Sequence, residues 1–162
     1  MNWTAFWIGL GSSGVGSLGF ALIFRVRGRH LLPASLGGML AFAVYFLLDA
    51  LGAHLFASNF FAAAAAALYS ELCARAFKAP SVVFSIPCLI PLVPGSLLYY
   101  TVSHMLSGTY ADSIANFIKT MLVALGIAGG LIVVSVIFSV YYHAQKRRLA
   151  RHQAHAGKET NQ

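Results

Sequence analysis

The residues best placed to do chemistry in this chain cluster around prolines. The stretch Ser85-Ile86-Pro87-Cys88-Leu89-Ile90-Pro91-Leu92-Val93-Pro94-Gly95-Ser96 sets three prolines and a glycine near the middle of an apolar run. Proline removes a backbone donor and clashes with the preceding turn. It also pushes the residue before it out of the helical region. One proline would kink a helix; three followed by glycine predict an interruption. A half-helix starting near Ser96 would aim free N–H groups and a partial positive charge into apolar surroundings, a combination that favours a carboxylate. Ser96 would cap that half-helix or touch the bound group. Tyr99 shares a face with Ser103, and Tyr100 with His104, by i,i+4 spacing. The competing reading is a structural kink flanked by tyrosines of the membrane boundary.

Lys119 is the other candidate, with Asn116 and Thr120 on a similar face. A lysine inside an apolar span is costly and points to function by default. Its depth of about 8 Å also lets it snorkel outward. The candidate binding set is therefore Pro91, Pro94, Gly95, Ser96, Tyr99, Tyr100, His104, Asn116 and Lys119. Asp49 with His54 reads as a hydrated pair or a proton-coupling pair. Glu71 with Arg75 reads as an i,i+4 salt bridge that could double as a gate. His143, His152 and His155 are too dispersed to specify a metal. Cys73 and Cys88 match no zinc or redox spacing and read as small apolar side chains in helix packing. No Ser-His-Asp set, carboxylate pair or HExxH supports an enzyme, and no cofactor is implied. Gly14-x-Gly16-x-x-Gly19 has the letters of a dinucleotide fingerprint but lies within an apolar run, not at a strand-to-helix turn.

The elements that carry these residues follow from composition. Hydrophobic residues make up 59% of the 162 and charged residues 9%, with a mean hydropathy of +0.75. A soluble domain is roughly 25% charged, so the excess apolar surface must face lipid. A spanning helix needs about 20 apolar residues. Five stretches qualify: Trp3 to Phe24, Leu31 to Leu51, Leu55 to Phe77, Val82 to Leu106 and Ile114 to Tyr142. The expected fold is all-α, a five-helix transmembrane domain over 1–142 with the fourth helix broken, then a basic tail over 143–162. Met1 to Thr4 carry no basic residue, so the first span reads as a retained helix.

Charge sets the orientation. Ten of the eleven Lys and Arg residues fall on one side of a five-span arrangement. The positive-inside rule makes that side cytoplasmic, with the N-terminus outside. Charge lying between and after spans excludes a nucleic-acid surface; the tail cluster suits anionic lipid head groups. Ser12/Gly16 and Gly9/Ser13 are small-xxx-small pairs, and Ala62–Ala67 is a second smooth surface. They suit internal packing, a partner subunit or a second copy of the chain.

Ile90-Pro91-Leu92-Val93-Pro94-Gly95-Ser96 followed by Tyr99 and Tyr100 resembles the proline-glycine signature of the threonine/serine exporter (ThrE) family. The likeness is to its C-terminal half, which occurs alone as a small YjjB-like subunit, and covers about Trp3 to Tyr142. Phe24-Arg25-Val26 and Lys78-Ala79-Pro80 are similar too. The resemblance implies a secondary exporter of small carboxylated metabolites, threonine and serine or dicarboxylates such as succinate. It also implies a larger YjjP-like partner and residence in the bacterial inner membrane. The alternatives are a non-transporting assembly subunit and a small homo-oligomeric channel or drug transporter. The first span lacks the embedded carboxylate that small drug exporters carry.

Overall fold

The computed structural model describes the backbone of residues 3–159 and the side chains of residues 3–142. Six helices account for it: α1 (Trp3–Ile23), α2 (Gly28–Ala50), α3 (Leu55–Phe77), α4 (Val82–Leu89), α5 (Gly95–Leu106) and α6 (Tyr110–Glu159). A 3₁₀ turn (Ile90–Leu92) prolongs α4. The chain is all-helical among the described residues. Helices α1, α2, α3 and α6 are each long and apolar enough to cross a membrane, and α4 with α5 makes a fifth span bent by 49°. The helical backbone of α6 runs on through 143, but the side chains of the basic tail lie outside the described residues, and with them its expected lipid contact.

Short loops force neighbouring helices antiparallel. Helices α1, α2, α3 and α5 end in the same left-handed C-cap. The N–H groups of the left-handed residue and its successor turn back onto carbonyls of the last turn, as in Gly52→Asp49 (3.0 Å) and Ala53→Leu48 (3.0 Å). Gly52 (φ 78°) and Gly108 (φ 77°) hold this position at one end of the bundle; Arg25 (φ 52°) and Lys78 (φ 51°) hold it at the other.

Small residues set the packing. Ala62, Ala63, Ala66 and Ala67 of α3 are buried, so the alanine run serves as an internal surface. Across it, Gly126 and Gly130 let α6 approach the α3 backbone; a Cβ on Gly126 would sit 2.8 Å from the Phe56 carbonyl oxygen. On α2, a Cβ at Gly37 would strike the Cys88 Sγ, and one at Gly38 the Ser17 Oγ. Lipid offers no hydrophobic drive to helix pairing, so this backbone-close contact must supply the attraction. Cys73 and Cys88 are both buried thiols within it. Gly14, Gly16 and Gly19 all lie inside α1, which removes the dinucleotide reading.

Candidate functional site

Not every proline breaks the fourth span. Pro87 is enclosed within α4, and the helix continues through it to Leu89. The chain leaves helical geometry only at Val93 (φ −61°, ψ 125°) and Pro94 (φ −77°, ψ 53°). The expected interruption from Pro87 to Ser96 is thus confined to two residues. The reason is surroundings: Pro87, the sixth of eight residues in α4, is fully enclosed, so packing holds the helix across its one missing donor, whereas Pro94 immediately follows a residue already extended.

Helix α5 restarts at Gly95 with Pro94 as its N-cap, so Ser96 stands inside the helix instead of capping it. The Gly95 N–H is occupied by the Val93 carbonyl at 2.8 Å. Among the described residues, the Ser96 and Leu97 N–H groups have no backbone acceptor, as the first turn of a helix requires. These two, not Gly95, are the donors the break exposes.

A cavity of about 480 Å³ lies against the break. Pro91, Pro94, Ser96 and Lys119 line it, so four of the expected residues converge. Tyr45 and Asn59, which the sequence reading passed over, complete its polar wall. Asn59 is 3% exposed and its Nδ2 donates to the Leu55 carbonyl at 2.8 Å, leaving Oδ1 without a partner among the described residues. The signal was available: Asn59 is a lone amide inside an apolar span. Lys119 forms no ion pair or hydrogen bond among the described residues. The cavity volume falls within the roughly 300–1,000 Å³ of small-molecule sites.

The other candidates gather elsewhere. Tyr99 and Tyr100 are exposed and pack ring against ring at 5.5 Å, outside the cavity lining. Asn116 Nδ2 meets His104 Nδ1 at 3.2 Å, and Ser113 Oγ donates to the Thr101 carbonyl at 2.7 Å. These polar links tie α5 to α6. Asp49 and His54 form no ion pair with each other. The expected Glu71–Arg75 salt bridge is also absent. The Arg75 guanidinium lies 4.5 Å from the centroid of the Phe138 ring of α6, a cation–π contact that draws it off its own helix. Both residues line a further cavity between α3 and α6.

A multi-pass helical membrane protein with a broken span facing a cavity, an unpaired lysine and free helix N–H groups has the build of a transporter. The family comparison agrees. The model described as "Threonine/Serine exporter, ThrE" matches residues 10–137. The chain belongs to this family, whose members are transporters and not enzymes. No curated protein and no solved structure matches it.

Proposed function

We propose that the chain is the small subunit of a two-component secondary exporter of small carboxylated metabolites, with the cavity at the Val93–Pro94 break as its substrate site. The observation that carries this reading is the convergence of Lys119 with the unsatisfied N–H groups of Ser96 and Leu97 on one cavity. A carboxylate there meets a full positive charge and a helix N-terminus together. An amino acid would set its ammonium against Asn59 Oδ1 and the Tyr45 hydroxyl, which serves threonine and serine; a dicarboxylate would use only the first pair of contacts. Pro91, Pro94 and Gly95 shape the break, while Tyr99, Tyr100, His104 and Asn116 position α5. Asp49 with His54, and Glu71 with Arg75, stand at opposite ends as coupling or gating groups. A larger YjjP-like subunit supplies the other half. Residues 1–142 form the membrane domain, residues 143–162 a cytoplasmic tail on anionic lipid, and the N-terminus lies outside the bacterial inner membrane.

The test is counterflow of labelled threonine and of succinate in proteoliposomes, with and without the larger subunit. Lys119→Met should lower exchange at least about tenfold, equivalent to about 1.4 kcal/mol, with unchanged complex assembly. Full exchange by the larger subunit alone would assign this chain an assembly role instead.

A further inference from the structure

A second cavity, of about 450 Å³, opens at the end of the bundle opposite the glycine caps. Arg25, Arg27, Arg29, Lys78 and His30 line it, and no acidic residue does. Pro87 belongs to its wall and Pro91 to that of the other cavity, so about one helical turn of the broken span separates the two.

His30 is 4% exposed and held edge-on by Phe77 and Phe84, with ring centroids 5.3 and 5.5 Å away. Its Nε2 accepts a hydrogen bond from Arg29 Nε at 3.4 Å. A guanidinium can only donate, so the neutral imidazole carries its proton on Nδ1. That Nδ1 is buried with no partner. A buried donor without an acceptor bears its full desolvation cost, and the missing partner must be an acceptor.

The backbone adds to this. Left-handed C-caps favour glycine, and the two distal caps use it. The two caps beside this cavity carry Arg25 and Lys78 instead. Attraction to a helix C-terminus accounts for one cation each at α1 and α3. The positive-inside pattern accounts for basic residues in these loops but not for the convergence of Arg27 and Arg29 on one cavity beside the N-termini of α2 and α4. Both N-termini open here with no acidic residue in the first turn and no side-chain cap.

We propose that this cavity binds an oxyanion, a carboxylate or a phosphate, with His30 as the inner donor and Arg29 and its neighbours as charge partners. At a membrane surface such a group comes either from a dissolved metabolite or from a phospholipid head group. The inference is independent of the transport reading, because it concerns a separate cavity that shares no lining residue with the one at Lys119.

The test is thermal unfolding of the purified full chain in phosphatidylcholine nanodiscs. One arm titrates inorganic phosphate at constant ionic strength; the other replaces part of the lipid with phosphatidylglycerol. Wild type should gain melting temperature in at least one arm, and that arm names the source. His30→Phe keeps the ring stack and every charge. It should melt no lower than wild type without anion, yet lose the gain. Arg29→Gln should need at least tenfold more anion for the same gain. Lys119→Met should respond as wild type does. A flat response in both arms, a wild-type response from His30→Phe, or a gain abolished only by Lys119→Met would each overturn the proposal.

Discussion

Helix α4 buries Phe84, Pro87 and Cys88 completely, packed on α2 and α3; α5, the other half of the same span, buries no residue and packs chiefly on α6. The first half is seated by shape. Gly37 and Gly38 make room for it and for α1, Cys88 donates to the Ala34 carbonyl at 3.7 Å, and Tyr69 ties α3 to the Pro33 carbonyl at 3.0 Å. The second half rests chiefly on one neighbour, α6, with no residue buried, and a few polar contacts fix its position there. Shape complementarity is stiff, because close-packed interiors do not deform gradually. Single hydrogen bonds inside membranes are weak, averaging about 0.6 kcal/mol. A span built from one stiff and one lightly held half can swing at Val93–Pro94, and the cavity with Lys119 lies at that joint.

The contrast is broken most severely from the seated side. In Gly38→Leu the new side chain meets the Ser17 hydroxyl, with Pro91 Cγ 3.4 Å from where its Cβ would stand. Neither helix can retreat without opening the α1–α2–α4 junction. Overpacking costs about 1–3 kcal/mol and sometimes more; with a whole Leu forced between backbones, the upper end or beyond is expected. Folded yield by size-exclusion chromatography in detergent should collapse. A monodisperse variant with wild-type melting would show that the seated half is not held by shape.

On the lightly held side the effect should be small for stability and large for position. Asn116→Ala removes the contact to His104 and leaves Ser113–Thr101 in place. A loss of about 0.6 kcal/mol is expected. Distances between spin labels on α5 and α3 should broaden, while those between α4 and α3 stay narrow. Equal broadening in both pairs would remove the distinction between the halves.

Much of this arrangement could be read from residue types. Hydropathy and the basic loops located every span, because each helix must present about 20 apolar residues to lipid. The Pro/Gly run announced a break but not its extent. Pro87 and Pro94 are chemically alike, and only the enclosure of Pro87 by α2 and α3 distinguishes them. Lys119 stood out as a lone charge, and Asn59 could have stood out as a lone amide. Tyr45 could not, since nothing in an aromatic-rich span marks the tyrosine that faces a cavity. Glu71 and Arg75 had ideal spacing for a pair, and the spacing misled because the competitor, Phe138, arrives from a helix more than sixty residues away. Local pattern reports what an element offers, and tertiary neighbours decide what it accepts.

The finest test uses two glycines of α1. Gly14 abuts Met39, whose Cγ and Sδ would lie 3.0 Å from an added Cβ, whereas the same atom on Gly16 would meet nothing within 4 Å. Helix propensity alone favours alanine by about 1 kcal/mol at either position. At Gly16 that gain should appear nearly intact, as a slightly higher melting temperature for Gly16→Ala. At Gly14 the contact with Met39 should consume it, because the methionine must yield a few tenths of an ångström for the helices to stay in register. The two variants differ by two residues, about half a turn of one helix, and by nothing in their chemistry. A lower melting temperature for Gly16→Ala than for Gly14→Ala would mean that the open face of α1 is covered in the folded assembly, and that the seated region extends beyond this chain.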